Sequence, residues 1–231
     1  MPHRIALSSG DRPLKIVRRP SARRFILRLD DEDDAVMLTL PRYASFAAAL
    51  RFLEDNRSWI EARLSELPPR VAFADGVEIP ILGEAHVIRH RAASGGRGAA
   101  WLEPGALCVT GEASHLSRRV TDFLRERARH ELAARARAIA AALGRRVGRI
   151  AVRDTKSRWG SCSHDGTLCF SWRLILAPPA VVDYVVAHEV AHLKHMNHGV
   201  RFWRTVEELA PGSAAPRLWL RRNRARLLRF G

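Results

Sequence analysis

The stretch His188-Glu189-Val190-Ala191-His192-Leu193-Lys194-His195-Met196-Asn197-His198 constrains this chain more than any other. On an α-helix, positions i and i+4 stack on one face. His188 and His192 can therefore aim imidazole nitrogens at a common point. Glu189 stands beside the first of them and can reach a water at that point without displacing either ring. Zinc in catalytic sites takes three protein ligands and keeps a position for water. It lowers the pKa of that water to about 7, within reach of a neighbouring carboxylate acting as base. A third ligand has to come from beyond the helix. His198 is suited to this, with Asn197 before it and Gly199 after it to turn the chain back. A carboxylate from the next helix, Glu207 or Glu208, is the alternative. Four of the ten histidines fall within residues 188 to 198, and the preceding Val181-Val182-Asp183-Tyr184-Val185-Val186-Ala187 is almost wholly apolar. Such a helix is buried, and buried imidazoles without partners are costly. A plain helix carrying surface histidines fits neither fact.

The rest of the chain supplies the setting. Its 231 residues are 47% hydrophobic, enough for a core in one large domain or two small ones. No apolar run reaches the length of a membrane span, and the N-terminal Met1-Pro2-His3-Arg4 lacks a signal-like apolar region. The expectation is a cytoplasmic protein with no membrane partner. Its three cysteines, Cys108, Cys162 and Cys169, are expected to be reduced and to act as small core residues, although Cys162 and Cys169 could pair across a hairpin or bind metal. The net charge of +15 suggests a polyanionic partner, DNA or RNA. Only three of the cations are lysine, so a compositional bias toward arginine explains the charge equally well.

Read in order, the chain predicts an α+β fold. Ile5-Ala6-Leu7, Leu14–Val17, Phe25–Leu29 and Val36–Leu40 are short apolar or alternating runs, hence strands. The acidic Asp30–Asp34 cluster reads as a hairpin turn rather than a calcium loop, since it lacks the glycine and terminal glutamate of an EF-hand. A helix is expected from Ser45 to about Glu66, ended by Pro68-Pro69. Residues 71 to 111 return to strands, with Asp75-Gly76 and Leu82-Gly83-Glu84 as turns and Ser94–Gly98 as a flexible tip. A long helix follows from Leu116 to Leu143, stopped by Gly144. We place a boundary there: residues 1–115 as a β-rich unit with one helix, residues 116–231 as the unit carrying the histidines. Ile150–Arg153 and Thr167–Trp172 read as strands around Lys156–Ser163. A strand edge beside a metal cleft can hold an extended peptide by main-chain pairing; the plainer reading is a structural hairpin with one buried tryptophan. Pro178-Pro179 open the histidine helix. Another helix is expected through Val206, Leu209 and Ala210. Residues 217 to 229 then carry six arginines and no acid, a tail that could touch nucleic acid or only cap the fold.

Five segments together resemble a known family. They are Lys156–Ser163 (KSRWGSCS), Trp172-Arg173-Leu174, Asp183–Glu189, His192–His198 and Phe202-Trp203. The combination resembles the YgjP-type zinc metallopeptidases, relatives of the WLM and SprT-like metalloproteases. The likeness is strongest over residues 150 to 204 and looser before them, where Pro41, Trp59-Ile60 and Leu82-Gly83 fit the layout. It implies a zincin-like catalytic domain, His188, His192 and His198 as zinc ligands, Glu189 as catalytic base, and protein or peptide substrates. Val190 stands where a leucine often follows the glutamate, a change without chemical consequence. The arginine-rich end departs from the pattern. The association of WLM and SprT-like proteins with DNA-bound substrates transfers only by analogy.

The expected reaction is zinc-dependent hydrolysis of a peptide bond with Glu189 moving the proton. The developing oxyanion needs a second donor, for which Tyr184, Arg158 and His195 are candidates. The rival is a basic nucleic-acid-binding module with a structural or accessory zinc. Against it, an open three-histidine set with an adjacent glutamate is more than a closed structural site needs.

Overall fold

Period-two alternation in the first forty residues produces strands, as expected, and the apolar faces of those strands need something to cover them. In the computed structural model, which describes residues 3–30, 34–91 and 99–231, that cover is helical. The chain divides into two units, Met1–Pro69 and Arg70–Gly231.

In the first unit, β1 (His3–Ile5), β2 (Arg12–Arg18), β3 (Ile26–Asp30) and β4 (Ala35–Leu40) form a sheet in the order β1-β2-β4-β3. β2 and β4 run parallel; the outer pairs are antiparallel. The expected turn between β3 and β4 lies in part outside the described residues. Helices α1 (Phe46–Asp55) and α2 (Arg57–Ser65) bury Ala49, Leu53 and Ile60 with Leu14, Val36 and Leu38 of the sheet. Ser45 caps α1 by accepting from the Ala48 amide at 3.1 Å. One helix was expected here; two are present. Asn56 leaves the helical region at φ −106°, ψ 11°, and its side chain donates to the Phe52 carbonyl at 2.7 Å. Asparagine competes for backbone groups in this way, which is why it ends helices.

The second unit repeats the same strand plan. β5 (Glu78–Ile81), β6 (Glu84–Arg91), β7 (Ala100–Glu103) and β8 (Ala106–Thr110) lie in the order β5-β6-β8-β7, with β6 and β8 parallel. The expected Ser94–Gly98 tip lies outside the described residues. Helix α3 (Leu116–Ala142) follows, and Gly144 takes φ +66° just past its end. Then come β9 (Ile150–Arg153), β10 (Gly160–Cys162) and β11 (Leu168–Ser171), in the order β10-β11-β9 with β10 at an edge. A short 3-10 turn, Trp172–Leu176, takes over where the strand was expected to reach Trp172. Helices α4 (Pro179–Ala191), α5 (Val200–Leu209) and α6 (Ala214–Leu228) complete the unit. The arginine-rich tail is therefore a helix.

The division after Pro69 differs from the boundary we placed after residue 115, for a packing reason. Ile79, Ile88, Leu107 and Val109 of the second sheet share one core with Leu124 and Leu132 of α3, Phe170 and Trp172, and Val186 of α4. The sheet formed by residues 78–110 thus belongs with α3 and α4. Cys108, Cys162 and Cys169 are free thiols. Cys169 stands opposite Ser161, not Cys162, across the β10–β11 pair.

Candidate metal centre

Helix α4 is buried on nearly every side. From Val181 to Ala191 only Asp183 and His188 are partly exposed, and Asp183 pairs with Arg135 of α3. A helix held this way fixes its side chains closely. α4 proper ends at Ala191, but His192 keeps helical dihedrals, φ −65° and ψ −21°, so the i, i+4 relation with His188 survives the terminus. The chain turns through residues 193–199 and restarts as α5 behind an extended Gly199. That turn returns His198 to the other two rings.

Ring centroids of the three histidines lie 5.2 Å (188–192), 5.1 Å (188–198) and 4.7 Å (192–198) apart. Their donor nitrogens all fall within 4.8 Å of one another. The Nε2 atoms of His188 and His198 stand 3.1 Å apart. Two nitrogens bound tetrahedrally at about 2.0–2.1 Å from zinc would be separated by roughly 3.3 Å, so the spacing suits a metal. The tautomers agree with this. His192 Nδ1 lies 3.0 Å from the His195 carbonyl, which can only accept, so Nδ1 carries the proton and Nε2 keeps its lone pair. His188 Nδ1 is buried with no hydrogen-bond partner among the described residues. Burial first, then His192, His198 and Arg217, hold His188 down to about 4. Burial also lowers His192. Neutral rings are the form that binds a metal. The fully buried Phe202 ring lies 4.5–4.9 Å from all three imidazoles, and Trp203 flanks His188 and His198.

Glu189 is buried beside this set, and β10 shapes its seat. A Cβ on Gly160 would lie 2.6 Å from both Cγ and Oε1 of Glu189, so only glycine permits this approach. Burial pushes the Glu189 carboxyl up to about 7, against an opposing pull from Arg158. Cys162, the other reactive group nearby, is pushed up to about 11 by burial, then by Glu189 and Asp165. It is a protonated, inert thiol near neutral pH.

A cavity of about 370 Å³ opens over Glu189 and His188. Arg158, Trp159, Gly160, Tyr184 and Val185 form one side; Arg217, Leu220, Arg221 and Arg224 of α6 form the other. Of the residues expected at the site, His188, His192, His198 and Glu189 come together, and Tyr184 and Arg158 line the same cavity. Burial raises the Tyr184 hydroxyl, which stays protonated and able to donate. The His195 side chain lines a separate surface depression with Asn197 and Val200, and it is its carbonyl that meets the metal set, through His192. Glu207 accepts from Gly212 N at 2.6 Å and from Ser213, capping the turn before α6. Neither it nor Glu208 belongs to the converging donors. Sequence reasoning missed Gly160, the phenylalanine beneath the rings and the α6 arginines. Gly160 and Phe202 stood within the quoted segments without a role, and the arginines left the i, i+4, i+7 spacing of 217, 221 and 224.

A family model described as YgjP-like, metallopeptidase domain, matches residues 23–223. The chain belongs to the YgjP-like family. No curated protein matches it. A matching solved structure is described as the crystal structure of the metallopeptidase zymogen of Pyrococcus abyssi abylysin. It is 27% identical over 43% of this chain and 86% of that one, with a TM-score of 0.26, too low for the likeness to bear on the fold. This YgjP-like metallopeptidase domain is thus an α+β peptidase of a family that implies a divalent metal and protein substrates. Among the described residues, no helix is long and apolar enough to cross a membrane.

Proposed function

We propose that the chain is a zinc-dependent metallopeptidase in which His188, His192 and His198 hold the ion and Glu189 is the general base. The convergence of three imidazoles beside a buried carboxylate carries this reading. Bound there, zinc would polarise the scissile carbonyl and acidify a water molecule. Glu189 takes the proton of the attacking water on its carboxylate and returns it to the leaving amine. Tyr184 and Arg158, across the same cavity, are the donors that face the developing oxyanion. β10 is the outermost strand of its sheet and its Gly160 lines the cleft; main-chain pairing along Gly160–Cys162 orders an extended substrate over Glu189. The free thiols favour a reducing compartment, the cytoplasm.

The test is Glu189→Gln. Hydrolysis of an unfolded protein substrate by the zinc-loaded enzyme should fall by roughly 10²–10⁴, the usual worth of general base catalysis. Zinc content should stay unchanged. A variant with full turnover would remove Glu189 from the mechanism.

A further inference from the structure

Three guanidiniums of α6 face the cleft for a reason of register. Arg217, Arg221 and Arg224 stand at i, i+4 and i+7, on the face whose centre, Leu220, is buried. Burying Leu220 turns the arginines toward the cavity. Arg158 adds a fourth cation from the opposite side, and the only acid among the lining residues is Glu189.

These arginines are not equivalent. Arg224 donates to the Lys156 carbonyl at 2.6 Å and so ties α6 to the segment leading into β10. Arg158 faces Glu189 and belongs to the chemistry. Arg217 stacks its guanidinium over the Trp203 ring at 5.1 Å, a contact that holds the charge at the cavity it lines. Arg217 and Arg221 form no ion pair with a carboxylate among the described residues. They sit against the apolar walls of Val185, Leu220 and Trp159. Low-dielectric walls focus the field of such charges into the cleft.

We infer that Arg217 and Arg221 make the enzyme selective for peptides with a carboxylate side chain close to the scissile bond. This rests on the peptidase reading above. A guanidinium fork matches a carboxylate in shape as well as charge. A lysine in the same place would meet like charges and be rejected, so the pocket discriminates in both directions. Arg217 and Arg221 are specificity residues; neither touches the reacting atoms.

The experiment separates binding from turnover. Fluorescent peptides of one frame carry Glu, Gln or Lys at each of the positions flanking a single cleavable bond. Their affinity for the zinc-loaded Glu189→Gln protein and their kcat/KM with the wild-type enzyme are both measured. One position is expected at which Glu is preferred over Gln by about tenfold in both assays, the size of one charge-assisted contact. Arg217→Gln and Arg221→Gln should each lower that preference, and Arg221→Glu should shift it toward Lys. Arg137→Gln, an exposed arginine of α3 outside the cavity, should leave it intact. Equal binding of Glu, Gln and Lys peptides overturns the inference, as does a preference that falls as much with Arg137→Gln, which would mark a general attraction to the basic surface. Glu-selective binding without any hydrolysis upholds the recognition and defeats the peptidase reading instead. A DNA oligonucleotide that binds this cleft while the three peptides bind alike would assign the arginines to nucleic acid.

Discussion

Helices α4 and α6 line one cavity and are built by opposite rules. α4 is buried almost all round, so any polar residue on it must have a purpose or a partner: Asp183 has Arg135, and His188 and Glu189 have the cleft. α6 fully buries only Leu220, Leu227 and Leu228, packs Trp219 partly against the core, and carries five arginines along its length. On the first helix the chemistry is written as a local motif. On the second, only the fold decides which of many arginines matter, by choosing the face that turns inward.

The contrast can be broken first on the α4 side, through proton linkage in the metal-free protein. Glu189 is raised from 4.5 to about 7, so the folded state holds a proton that the unfolded chain releases, and stability falls as pH rises from about 4.5 to 7. His188 is lowered from 6.5 to about 4, so the unfolded chain holds the extra proton, and stability rises with pH from about 4 to 6.5. The two slopes oppose each other, so wild-type stability should rise less steeply with pH across that window than it does without Glu189. Glu189→Gln removes one of them. Chemical denaturation of the metal-free variant should show stability climbing with pH up to about 6.5, and at pH 8 it should exceed wild type by on the order of 3 kcal/mol. At pH 4 the two should be equal. A variant no more stable than wild type at pH 8 would mean that burial does not strain this carboxylate.

Next in size is Gly160→Ala. The added methyl would strike Glu189, and a displacement of about 1 Å in a catalytic group costs about a hundredfold in rate, or roughly 2.7 kcal/mol. Steady-state kinetics should show the loss in kcat with zinc content unchanged. An unaffected kcat would show that Glu189 has room to spare. The smallest effect should be Arg222→Gln. This exposed α6 arginine lies off the cavity face, and its loss should change stability by less than about 0.5 kcal/mol and leave kcat/KM unaltered. A large effect there would blur the distinction between the inward and outward faces of α6.

What could be read in advance follows the same division. Strand and helix periodicity located most elements, because each depends on neighbours in sequence. The helix break at Asn56 was not legible, since Trp59 and Ile60 continue the apolar period across it. The division after Pro69 was not legible, because Ile88 and Val109 look the same in sequence whichever core receives them. His188, His192 and Glu189 were legible as a helical motif, and His198 as the nearest imidazole able to return to it. The seat at Gly160 and the His195 carbonyl were not: the first is a close approach between elements distant in sequence, and the second is made by a carbonyl, a group every residue carries.

The most direct check is calorimetric zinc titration of the metal-free protein, run beside His198→Ala and Glu207→Ala. The histidine account requires one tight site per chain in wild type and in Glu207→Ala, and a site weakened by orders of magnitude or lost in His198→Ala. A His198→Ala protein that still binds one ion with wild-type affinity would contradict it.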